Sequence, residues 1–396
     1  MPDKESYGFM AGRNINGYFT YHLFINFAFW LSIYAVFFMD RGLDFSALLL
    51  LYVVVNGFQT LMELPSGMLA DKWGRKPVMM LGALMQASGY LLIAFGDSMY
   101  WYIPGMSLAG IAHAFTSGSD SAFIYDSLVA AKREEEFKKI EGRAYMFSLI
   151  GWGAGGLLGG WIAMQNLALP YILSAMTSLM AMFIIGTCVE PPRVQLHMTA
   201  RAFIHNAWIM LRDNRRVRGI IIFSSILYGL LLACHKFSQP YLLSAGIALE
   251  VFGVIYFVWL IGAALSSNFS ERIEQLLGRK TIFYLMPVLA GGAIIYLGVR
   301  QDIFGAFIAL LYQFSWGALR PQMNHVINDE VASTMRATIL SVAGFGSSII
   351  YIITAPLIGE FADLYGFDNA LLLLGMAILT LGLIAAHYFL FSEKPD

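Results

Sequence analysis

The chain has 396 residues, of which 58% are hydrophobic and 13% charged, whereas soluble domains carry about 25% charged residues. That composition excludes an ordinary soluble protein and describes one whose solvent is the lipid bilayer. The formal net charge of −1 supplies no argument for nucleic acid or an acidic partner, so only the distribution of charge informs.

Met1 to Asn16 is polar and of mixed charge, without the basic region, apolar core and cleavage site of a secretory signal, so the first span is expected to stay in the mature protein. A bilayer crossing takes about 20 apolar residues. By that rule about twelve spans are predicted, at 17–39, 45–69, 77–95, 101–129, 144–166, 169–189, 218–243, 248–270, 281–299, 303–328, 337–362 and 367–391. Cys188 and Cys234 fall inside apolar runs and read as small hydrophobes, neither a disulfide nor a metal pair.

In the first span His22 and Asn26 share a face by their i, i+4 spacing. The histidine, which ordinarily titrates near neutrality, reads as a proton carrier or as hydrogen-bonded packing. Trp30 follows it, and with Trp259, Tyr312 and Trp316 it reads as cavity lining or as core. The second span carries Glu63, in Glu63-Leu64-Pro65-Ser66-Gly67. A carboxylate at membrane depth is costly, so Glu63 is a protonation candidate or an acceptor for a neighbouring helix. In the fourth span His113, Ser117 and Asp120 are spaced i, i+4, i+7. This predicts one polar stripe on one helix face, with Asp120 as a second proton or cation candidate and Asp126 pointing elsewhere. The fifth span, Gly151-Trp152-Gly153-Ala154-Gly155-Gly156-Leu157-Leu158-Gly159-Gly160, allows close helix approach and bending.

The stretch from Glu190 to Arg218 divides the chain into an N-terminal bundle at 1–189, a linker at 190–217 and a C-terminal bundle at 218–396. Within it Ala202, Phe203, Ala207, Trp208, Met210 and Leu211, among Arg201, His205, Arg212, Arg215 and Arg216, read as an amphipathic helix on the membrane surface. The seventh span brings His235, Lys236 and Gln239 ahead of Pro240, and the tenth brings Arg320, Asn324 and Asn328 at i, i+4, i+8. Lys236 reads as an anion ligand or as a snorkelling chain. Arg320 cannot shed its charge and needs an anion, a carboxylate such as Asp120 or Glu63, or water.

The halves look like a repeat. Gly74-Arg75-Lys76 opens the third span and Gly278-Arg279-Lys280 the ninth, while Arg143-Ala144 with Ser148 opens the fifth and Arg336-Ala337 with Ser341 the eleventh. Ser270 to Leu277 lacks an Asp at the expected spacing, so the two inner gates are expected to be inequivalent. Alternate loops carry almost all the Lys and Arg, leaving Arg41 and Arg300 on the other side, which predicts cytoplasmic termini.

Between the second and third spans runs Gly67-Met68-Leu69-Ala70-Asp71-Lys72-Trp73-Gly74-Arg75-Lys76. It resembles the G-x-x-x-D-[RK]-x-G-R-[RK] loop of the major facilitator superfamily of secondary transporters, in its bacterial drug-efflux-like branch. The resemblance implies an all-α membrane protein of 12 transmembrane helices in two pseudo-symmetric six-helix bundles, with a small-molecule site near the midplane. It also implies a conformational latch of Gly67, Asp71, Lys72, Gly74, Arg75 and Lys76, with Asp126 as the partner of Arg75. Two departures stand out: Gly156 sits where the superfamily's antiporter element has proline, and Met106 where its drug antiporters usually have arginine.

The expected function is proton-coupled export of an amphipathic compound. Glu63, Asp120, His22 and His113 are the proton-coupling candidates, and Asn26, Trp30, His235, Lys236, Gln239, Arg320 and Asn324 the substrate-cavity candidates. The alternative is an importer of an anionic or zwitterionic nutrient. No phosphate loop, nucleophile elbow or metal spacing points to an enzyme, a cofactor or a metal. The expectation is a monomer in the inner membrane of a bacterium, with protons and lipid as its other partners.

Overall fold

Backbone groups in hydrocarbon must be satisfied within their own segment, and the secondary structure of the described residues is helical throughout. The computed structural model describes residues 4–192, 209–331 and 333–391. Arg201, Ala202, Phe203, His205, Ala207 and Trp208 of the expected amphipathic helix lie outside them. The first half holds α1 (Lys4–Ile25), α2 (Tyr34–Asp40), α3 (Phe45–Trp73), α4 (Arg75–Phe95), α5 (Met99–Thr116), α6 (Ser119–Ala130), α7 (Phe137–Ala163) and α8 (Leu169–Thr187). The second holds α9 (Arg215–Ser244), α10 (Leu249–Asn268), α11 (Ser270–Leu277), α12 (Arg279–Val299), α13 (Ile303–Glu330), α14 (Ser333–Tyr365) and α15 (Phe367–Phe391).

Among the described residues ten helices are long and apolar enough to cross a membrane, eleven with the bent first span. The fourth crossing, α5 with α6, is interrupted and more polar, and it brings the order to the twelve expected.

Two spans predicted as continuous are broken. The first leaves the helix after Ile25, makes a 3-10 turn at Phe29–Ser32, and resumes as α2 at an angle of 47°. Groups released by the break find partners on neighbouring helices. The Gln86 amide donates to the Ile25 carbonyl at 3.0 Å, and the Phe29 N–H donates to Ser174 Oγ at 3.0 Å. Such replacement is what permits irregular backbone at membrane depth. The fourth span breaks at Ser117-Gly118, where Gly118 takes φ +79°, a conformation that favours glycine. The expected single stripe of His113, Ser117 and Asp120 is therefore not one helix face: the chain turns between its second and third members.

The glycines of α7 work in two sets. Gly151, Gly155 and Gly159, one turn apart, lie against the backbone of the broken first span. A Cβ on Gly155 would come within 2.7 Å of the Ala28 nitrogen, and one on Gly159 would overlap the Phe29 carbonyl. Gly160 faces Leu249 instead, and Gly253 lies against Gly156 and Leu157.

Contacts divide the chain into two compact units: Met1–Phe37, Val54–His197 and Leu249–Val254 in the first, Phe38–Val53, Met198–Ala248 and Ile255–Asp396 in the second. The core of the first includes Tyr18, Tyr21, Phe123 and Ile124, all fully buried. In the second, the Asp363 carboxylate accepts from the Phe45 and Ser46 N–H groups, both at 2.8 Å, at the start of α3. There Phe45 stacks on Phe237 and Phe367.

Candidate functional site

Three elements of the first unit converge on one polar chain. α1 contributes Tyr18 and His22, α6 contributes Asp120 just past the Gly118 break, and α7 contributes Glu141 and Ser148. His22 Nε2 lies 3.6 Å from Asp120 Oδ2, with side chains 13% and 19% exposed. The other ring nitrogen, Nδ1, is 3.0 Å from Ser148 Oγ, which also accepts from Asn26 Nδ2 at 3.0 Å. Toward the loop end of α7, Tyr18 OH donates to Glu141 Oε1 at 2.9 Å, and the Tyr18 ring stands edge-on to His22 at 4.4 Å. Asp120 Oδ1 accepts the Ser121 N–H at 2.7 Å, which orients its carboxylate at the first turn of α6. Two titratable groups in contact, with a hydroxyl on one side and a tyrosine-glutamate pair on the other, can take up, hold and pass on a proton.

Sequence spacing placed His22 with Asn26, and Asp120 with His113. The structure instead joins His22 to Asp120 and leaves His113 exposed on α5. Glu63 is exposed on α3, and no side-chain hydrogen bond or ion pair reaches its carboxylate among the described residues. Trp30 packs against Tyr90 and Tyr171, at 5.9 and 6.4 Å between ring centroids.

The charged loop forms a second cluster. Arg75 Nη2 lies 3.0 Å from Asp71 Oδ1, and Arg75 Nε lies 3.7 Å from Asp126 Oδ2, a carboxylate 5% exposed. Gly74, at φ +114°, makes the turn that starts α4. A residue not anticipated from sequence completes the cluster. Glu190 accepts the Arg75 and Lys76 N–H groups at 2.8 and 2.9 Å, while Lys76 Nζ donates to the Cys188 carbonyl at 2.8 Å. A carboxylate at a helix N-terminus satisfies orphan donors and opposes the positive end of the helix dipole. Gly67 and Lys72 lie on the last turns of α3.

The second unit has a matching cluster where the sequence suggested decay. Arg279 Nε is 2.7 Å from Glu274 Oε1, and Arg279 Nη2 is 3.7 Å from Asp329 Oδ2 and 2.9 Å from His325 Nδ1. The acid lies five residues before the arginine here and four before it in the first loop. A search for Asp at the motif's own spacing misses it. The expected inequivalence of the two loops is corrected to this extent: both arginines hold a local carboxylate and one from a neighbouring helix.

Deeper in the second unit the candidates separate. Lys236 Nζ sits 3.5 Å above the Tyr52 ring, a cation-π contact. Gln239 is fully buried. His235 stands edge-on to Trp316 at 4.6 Å, Tyr228 does the same from one side at 4.9 Å, and Arg320 and Asn324 follow Trp316 at one-turn intervals on α13. No grouping of three or more His, Cys, Asp or Glu able to hold a metal occurs among the described residues.

Among known proteins, the chain is 22% identical over 306 residues to the Tetracycline resistance protein, class B, of Escherichia coli, covering 74% of this chain and 73% of that one. It is 24% identical over 303 residues to the Multi-drug resistance efflux pump PmrA homolog of Lactococcus lactis, with 74% and 73% covered. In three dimensions it is similar to the crystal structure of the nucleoside transporter NupG, with a TM-score of 0.78 at 16% identity, over 97% of this chain and 100% of that one. The model of the Major Facilitator Superfamily matches residues 18–353, so the chain, a multi-pass membrane transporter and not an enzyme, belongs to that superfamily.

Proposed function

We propose that this secondary transporter exports an amphipathic organic compound in exchange for protons, by alternating access. The observation that carries the reading is the His22–Asp120 contact at 3.6 Å. It joins a histidine to a carboxylate at membrane depth, within a chain that runs from Asn26 and Ser148 to Tyr18 and Glu141. Ionisable groups so placed are costly and are kept for proton or ion movement. Glu63, an exposed carboxylate on an apolar helix, is the second protonation site in this reading. The Arg75 and Arg279 clusters act as paired latches that make and break with the transport cycle. The excess of lysine and arginine in alternate loops supports a cytoplasmic position for these latches and both termini, in the inner membrane of a bacterium. The resemblance to proteins named for tetracycline and multidrug resistance supports the outward direction.

The test uses inside-out vesicles with an acidified lumen and a panel of ring-bearing amphiphiles that includes tetracycline. Accumulation should follow the pH gradient, collapse with a protonophore, and lose its gradient dependence in Asp120→Asn. If that variant and His22→Gln both respond to pH as the parent does, the exchange site has been misassigned. The opposite direction is entry of solute together with protons, and solute leaving the lumen as it acidifies would identify it.

A further inference from the structure

The second unit presents a charge that none of its described residues neutralises. Arg320 is exposed on α13, about 15 Å along the axis from the Glu330 end, and no hydrogen bond or ion pair reaches it among the described residues. Its direction differs from that of the exposed apolar side chains on the same helix. The exposed large apolar side chains of α13 are Ile303, Phe304, Phe307 and Leu311; the last three lie about 140 to 180° around the helix from Arg320, and Ile303 about 100°. Arg320 lies instead on the side of the buried Ala309 and Gln313 and of the half-buried Trp316 and Asn324.

Along that side the chemistry changes in order. Trp316 is flanked edge-on by Tyr228 and His235, all three half-buried, so flat apolar surface remains open there. One turn on stands the guanidinium, and one turn further Asn324, whose Oδ1 is buried without a hydrogen-bond donor. A guanidinium that cannot discharge favours a carboxylate or other oxyanion. The aromatic wall favours a ring.

We propose that the transported solute is an aromatic or similarly flat organic anion, bound on the second unit with its anionic group on Arg320 and its ring against Trp316, Tyr228 and His235. This rests on the transport reading above and narrows its substrate class.

The test is fluorescence titration of the purified full chain in lipid nanodiscs with 3-hydroxy-2-naphthoate and with its uncharged carboxamide. The parent should bind the acid about tenfold or more tightly than the amide, the size expected of one charge-assisted contact to arginine. Arg320→Gln should bring that ratio to about one while leaving the amide's affinity unchanged, Arg320→Lys should keep part of the ratio, and Trp316→Ala should weaken both compounds alike. An unchanged melting temperature of Arg320→Gln without ligand shows that the variant is folded. Absence of acid binding, equal binding of acid and amide by the parent, or a ratio that survives Arg320→Gln overturns the proposal. Failure of the export reading looks different. Asp120→Asn is expected to abolish gradient-driven movement and keep the acid-to-amide ratio, so a parent indifferent to the gradient but still selective for the acid would refute export alone.

Discussion

Gly159 and Gly156 stand three positions apart on α7, and replacing each by alanine gives opposite outcomes. A Cβ on Gly159 would overlap the Phe29 carbonyl oxygen and lie 2.8 Å from the Phe29 carbonyl carbon and 2.9 Å from Ser32 Oγ. These atoms belong to the 3-10 turn of the first span, fixed in turn by Ser174, so they have little room to withdraw. A Cβ on Gly156 meets only Leu31 Cδ2 at 3.7 Å, an ordinary contact. The intrinsic helical gain of alanine over glycine, about 1 kcal/mol, is common to both variants and cancels in their difference. What remains is the overpacking at Gly159, about 1 to 3 kcal/mol. At about 2 to 4 °C per kcal/mol for a unit of this size, Gly159→Ala should melt roughly 2 to 12 °C below Gly156→Ala. The two cysteines are both buried, Cys188 in the first unit and Cys234 in the second. A thiol-reactive dye on a Cys234→Ser background therefore reports the first unit alone. Equal melting of the two variants, or a lower value for Gly156→Ala, would refute the claim that these glycines are required by backbone approach.

Three further outcomes follow from the same geometry. Glu190→Gln weakens the cap on the first two N–H groups of α4 and should cost the first unit about 0.5 to 2 kcal/mol by the Cys188 melt. Gln86→Leu leaves the Ile25 carbonyl without its donor in a buried place and should cost about 1 to 3 kcal/mol by the same measurement. Asp126→Asn and Glu274→Gln loosen two arginine clusters that belong to different units, and their effects on stability should add to within about 0.5 kcal/mol. A larger deviation in that double mutant would reveal coupling between the clusters.

The helices and the charged loop were legible from sequence because their causes are local. Runs of apolar residues set the spans, and the pairing of Arg75 with Asp126 followed from the resemblance that the charged loop carries. The breaks were not legible. Nothing between Ile25 and Phe29 forbids a helix by itself, and the interruption persists because Gln86 and Ser174, distant in sequence, take up the released groups. The Gly118 break carried a weak signal in Thr116-Ser117-Gly118, and overlooking it assigned Asp120 to the wrong neighbour. Glu190 was hidden for a different reason: it caps α4 from beyond the end of α8, and spacing within one helix cannot reveal such a contact.

The exchange of short segments between the two units bears on how such a chain arose. α3, whose first turns belong to the second unit, starts at Phe45, and α10, whose first turns belong to the first, starts at Leu249; the two starts are as far apart in the chain as Arg75 and Arg279, so the exchange is reciprocal and falls at equivalent places. An ancestor carrying a single repeat would have had no second half in the same polypeptide to receive its arm.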